Sequence, residues 1–120
     1  MNIRRPRSAP VLLSALMAAA LPLGGCWWET PPPKLAEGLV VSVANDEWPP
    51  RLRSRFPVGT AEAELLGVLN TQGFAIDGRG RKAKADWVQG VCNHEVTVVW
   101  QVKPDNTLAD IDGRYFPACP

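Results

Sequence analysis

The chain has 120 residues, 46% of them hydrophobic, which is room for one small domain with one core. Its 13 Lys+Arg stand against 12 Asp+Glu, and so even a balance excludes nucleic acid as a partner, because phosphate recognition needs a strongly basic face. Arg4, Arg5 and Arg7 fall in the first 25 residues, which hold no acid, so residues 26–120 carry 10 basic and 12 acidic side chains.

Those first residues read as an export segment: a basic head, an apolar run from Val11 to Leu23, and small residues closing it at Gly24-Gly25. The run falls well short of the ~20 apolar residues a membrane-spanning helix needs, and Pro10 and Pro22 interrupt its flanks. Pro6 and Arg7 after Arg4-Arg5 depart from the twin-arginine pattern.

The four residues Leu23-Gly24-Gly25-Cys26 resemble the lipobox of bacterial lipoproteins. The resemblance implies cleavage before Cys26 and acylation of its thiol, which then anchors the mature N-terminus. Trp27, standing where inner-membrane lipoproteins commonly have Asp, implies delivery to the outer membrane with the domain on its periplasmic face. The predicted organisation is a removed signal peptide over 1–25, a lipid anchor and proline-rich tether over 26–37, and a single domain over 38–120. Trp27 and Trp28 suit the headgroup region beside the lipid. With Cys26 given to the lipid, Cys92 and Cys119 remain as an even pair in an oxidising compartment, and a disulfide between them is expected.

Along the rest of the chain, Gly38 to Ala44 is rich in β-branched residues and predicts a short strand. Trp48-Pro49-Pro50 then predicts one or two helical turns carrying Leu52 and Phe56 four residues apart, stopped at Pro57. A helix is predicted from Thr60 as N-cap, with Glu62 and Glu64 in its first turn and Ala61, Leu65, Val68 and Leu69 on one face. Its end is placed near Gln72, with Gly73 left-handed and Phe74 folded back onto Leu69. Asp77 to Lys82 reads as a mobile loop. A strand follows over Asp86–Val91 and a central one over Glu95–Val102. A turn at Lys103-Pro104-Asp105-Asn106 and a last strand from Thr107 to Phe116 close the chain, with Gly113 bending that strand. The predicted class is α+β, with one or two short helices on an antiparallel meander of three to four strands. This order is similar in outline, over roughly residues 57–116, to the SmpA/OmlA small outer-membrane lipoproteins, which implies two helices on a three-stranded sheet and an accessory role in outer-membrane assembly.

Residue types that could carry chemistry do not assemble into a catalytic or metal pattern. Cys92, His94 and Cys119 give three zinc-type ligands where a structural site takes four. His94 is the sole histidine and reads as a surface residue at a strand start, and neither Ser42 nor Ser54 lies in a nucleophile motif. Asp110-Ile111-Asp112-Gly113 puts Leu108 where a calcium loop needs its first acid, and Gly78 to Lys84 lacks a phosphate-loop spacing. Arg79, Arg81, Lys82 and Lys84 gather four cations into one short stretch, a candidate docking site for an anionic surface. The sequence therefore predicts a non-enzymatic accessory or scaffolding protein of the envelope. It would have no cofactor, a membrane contact through its lipid, and a protein partner in the envelope. The second reading is an exported inhibitor or ligand-binding module directed at an envelope hydrolase.

Overall fold

The computed structural model describes residues 29–120. The export segment, Cys26, Trp27 and Trp28 lie outside the described residues. Two helices, α1 (Ala44–Arg55) and α2 (Glu62–Thr71), pack on one face of a four-stranded antiparallel sheet. Its strands are β1 (Ala75–Asp77), β2 (Lys82–Gln89), β3 (Cys92–Val102) and β4 (Leu108–Ala118), in the order β1-β2-β3-β4. This is the predicted α+β meander. None of the described helices is long and apolar enough to cross a membrane.

The period-two burial of the strands divides the sheet into an inner and an outer face. Ala83, Ala85 and Trp87 of β2, His94, Val96, Val98 and Trp100 of β3, and Ile111 and Tyr115 of β4 point inward and are buried. The helices cover them with Trp48, Leu52 and Phe56 and with Leu65 and Leu69. Gly113 is set by this packing. A Cβ there would sit 2.5 Å from Trp48 Nε1, 2.8 Å from Leu52 Cδ1, and against the Thr97 carbonyl. Gly113 thus permits close approach of α1 to the sheet.

The C-terminus of α2 is as predicted. Gly73 has φ +82°, its N–H donates to the Asn70 carbonyl, and the Phe74 N–H donates to the Leu69 carbonyl at 3.0 Å, the two bonds of a Schellman cap. Its N-terminus differs: the cap residue is Ala61, and the Thr60 hydroxyl donates instead to the Pro57 carbonyl. Thr60 is drawn into extended pairing with the start of β4, where its carbonyl accepts from the Leu108 N–H. The Asn106 carbonyl accepts the Glu62 N–H that a capping side chain would have taken.

The strand expected over Gly38–Ala44 is a one-turn 3₁₀ helix, Val41–Val43, running straight into α1. Helix α1 thus begins several residues before the two prolines and holds Pro49 and Pro50 inside it. Trp48, fully buried, donates its indole N–H to the Thr97 carbonyl at 2.9 Å. That tertiary contact outweighs the local bias of a residue preceding proline against helix.

The segment expected as a tether is seated on the domain from its first described residue. Glu29 Oε1 accepts from the Gly90 N–H, and Thr30 exchanges two hydrogen bonds with Val88, N–H to carbonyl at 3.1 Å and hydroxyl from N–H at 2.8 Å. This strap takes up the edge of β2 that the short β1 leaves uncovered. Beyond it Leu35 and Ala36 are buried, with the Leu35 N–H donating to Gln72 and its carbonyl accepting from Arg51.

Candidate functional site

Two ends of the sheet hold the residues singled out by the sequence. At one end, Gln89 pairs with Cys92 across the two-residue turn Gly90-Val91, with Gly90 at φ +63°, the geometry of a II′ hairpin. Cys92 is joined to Cys119 by a disulfide that fixes the chain's last residues to the start of β3. Beside it on the inner face, His94 is buried, which corrects the expectation of a surface histidine. Its register with Trp87 across the β2–β3 pair stacks the two rings at 5.3 Å, and its Nδ1 is hydrogen-bonded to the Tyr115 hydroxyl. Burial raises the Tyr115 pKa, which keeps the phenol protonated and able to donate. A strand starting at Glu95 leaves His94 outside its alternation and hides this cluster, whereas β3 begins at Cys92 and sets His94 in phase with Val96, Val98 and Trp100.

Asn45 completes this end. As the second residue of α1 it turns its amide to the outer edge of β4, accepting from the Tyr115 N–H at 2.9 Å and donating to the Tyr115 carbonyl at 3.0 Å. It behaves as a one-residue strand, satisfying an edge that has no further partner strand. No sequence motif announces it.

At the other end the four cations are dispersed by the β1–β2 turn. The stretch expected as a mobile loop is a four-residue connection, 78–81, in which the Gly80 N–H donates to Asp77 Oδ1 and Arg81 adopts φ +48°. Lys82 and Lys84 lie on β2 itself, exposed on the outer face. Arg81 is turned to α2, where its Nε donates to Glu62 Oε2 at 2.9 Å; the same oxygen accepts the Trp100 indole N–H at 2.8 Å. The Trp100 bond, with Arg81 beside it, holds the Glu62 carboxyl below its ordinary value. Arg79, Lys82 and Lys84 are thereby left for any external anion. Arg79 and Arg81 line one shallow cleft beside Trp100, and Arg81 lines a second with Asp110 and Asp112, so the surface there is of mixed sign.

Among the described residues no three potential metal ligands come together, and no buried side-chain nitrogen or oxygen lacks a hydrogen-bond partner. Among the described residues an open groove of about 670 Å³ lies between Pro32–Lys34, Arg55 and the C-terminal half of α2, lined mostly by apolar atoms. No protein-family model, no curated protein and no solved structure matches the chain.

Proposed function

We propose that this protein is a lipid-anchored accessory or scaffolding protein of the outer membrane, which holds a small α+β module at the periplasmic face and acts by contact with another envelope component. The observation that carries the reading is the pairing of the lipobox with a domain that starts almost at once. Only Trp27 and Trp28 separate Cys26 from Glu29, the first described residue, whose carboxylate accepts from the Gly90 N–H. A module so placed stays within about 11 Å of chain from its lipid, suited to work at the membrane surface and not at the end of a long stalk. Several acyl chains together make such an anchor stable, each buried CH₂ contributing ~0.8 kcal/mol.

Cys26→Ser tests the reading. The expected result is unprocessed precursor or protein released from membranes, while the parent, extracted and weighed intact, begins at Cys26 and carries the lipid mass. Co-fractionation of the serine variant with outer membranes at parental levels would refute it.

A further inference from the structure

We propose that the end of the domain carrying the β2–β3 turn is itself a lipid-contacting surface, with Val40, Val41, Val43, Val91 and Phe116 set into the membrane interface. The proposal rests on the lipid anchor at Cys26. It follows from where the chain leaves the described structure. Glu29 and Thr30 are bonded to Gly90 and Val88, the last turn of the β2 edge. From Cys26 to Thr30 an extended chain spans at most about 14 Å, so a lipid on Cys26 holds this end of the sheet, and no other, against the bilayer.

The exposed large apolar side chains gather at the same end. Val91, at the tip of the β2–β3 turn, is 68% exposed, and Phe116 lies on the outer face, paired with Glu95 near the start of β3. Helix α1 runs from Asn45 at Tyr115, through Trp48 at Thr97, to Arg53 beside Asp110 and Asp112. Its N-terminus therefore points to the β2–β3 end, and the 3₁₀ turn that precedes it brings Val40, Val41 and Val43 there, all exposed. Three independent elements thus converge in presenting uncovered hydrocarbon where the anchor attaches. Of the exposed large apolar residues, Val58 and Val99 lie elsewhere.

Charge decides which kind of membrane contact this is. The ionisable residues around the patch are mostly acidic, Glu29, Asp46, Glu47 and Glu95 against Arg114, which lies two residues before Phe116 on the outer face of β4. This balance does not favour anionic headgroups, and the contact is an apolar one with a zwitterionic surface, little affected by salt. The same geometry sends the β1–β2 turn the other way. Val88 lies six residues beyond Lys82 along β2, about 20 Å of strand, so Arg79, Lys82 and Lys84 lie away from the anchoring bilayer. An anionic partner for them would be a protein or polymer reaching in from the periplasm.

The test uses the full lipidated protein, extracted from membranes and reconstituted in phosphatidylcholine–phosphatidylethanolamine vesicles whose acyl chains carry bromine. An environment-sensitive fluorescent amino acid replaces Val91 in one preparation and Arg79 in another. The expected result is strong quenching at 91, little at 79, and little change between low and high salt. Changing Val40, Val41 and Val43 together to Ser, all exposed and so harmless to folding, should weaken the quenching at 91. Equal quenching at 91 and 79, or quenching at 91 untouched by the three serines, would overturn the proposed surface. An intact mass without lipid would instead overturn the anchor reading on which it stands.

Discussion

At the β2–β3 end of the sheet, α1 meets β4 through the paired amide bonds of Asn45, and β3 meets the C-terminal segment through a covalent bond. At the β1–β2 end, α1 meets β4 through Arg53 and two aspartates at 3.5 and 3.9 Å, all half-exposed, and α2 meets the turn through the Glu62–Arg81 pair. The same helices and strands are thus closed by neutral and covalent contacts at one end and by ionic contacts at the other. Neutral contacts keep their strength beside a bilayer, where bulk water and salt are displaced. Ionic contacts suit a surface that stays in solvent.

The β2–β3 end depends most heavily on the disulfide. Replacing Cys92 and Cys119 with Ser reopens a loop with a sequence separation of 27, and the chain-entropy model puts the loss at about 3.5 kcal/mol. That is a large share of the ~5–15 kcal/mol of a whole domain. The expected outcome is a clearly lowered Tm in thermal unfolding, with hydrogen exchange rising first in residues 115–120.

The two α1–β4 seams give a matched pair. Asn45→Ala leaves the Tyr115 N–H and carbonyl without their partner at a part-buried edge and should cost about 2 kcal/mol. Arg53→Ala removes solvent-screened pairs and should cost no more than about 0.5 kcal/mol. Denaturant unfolding of both variants measures the difference, and only the arginine effect should shrink further in high salt.

Acid should separate the ends as well. The folded-state pKa of Glu62 lies below its unfolded value, so the carboxylate's contribution is fully present above the ordinary carboxylate range. It is lost as pH falls through the lowered folded value. Glu62→Gln keeps a hydrogen-bond acceptor for Trp100 but not the charge, and should cost about 1 kcal/mol near neutrality. Its stability should also decline less steeply toward acid pH than the parent's, as read by unfolding at stepped pH.

The fold class, the Schellman end of α2 and the β3–β4 turn were all legible in the sequence, because each rests on local chemistry. The Asn106 N–H indeed donates to the Lys103 carbonyl, with Pro104 at the first central position. What was not legible depends on contacts distant along the chain. The helical state of Val41–Trp48 is dictated by Trp48 reaching Thr97 and Asn45 reaching Tyr115, separations of 49 and 70 residues. Two further features are carried by local pattern. Ala83, Ala85 and Trp87 alternate with Lys82, Lys84 and Asp86, which starts β2 at residue 82 and removes the long loop. Gly90-Val91 between two alternating stretches is the signature of a two-residue hairpin, and fixes the phase that buries His94. Of the four cations, Arg81 could not have been told from the others by sequence, since its partner Glu62 lies on another element.

The proposed membrane contact makes the domain stand on its β2–β3 end. Its most direct test is the height of each end above the bilayer, read by energy transfer from fluorophores at positions 91 and 79 to headgroup acceptors in vesicles bearing the lipidated protein. Position 91 should lie at the surface and position 79 higher by about 20 Å, the length of β2 between the strap and the turn. Equal heights would mean that the sheet lies flat on the membrane, and would contradict the claim.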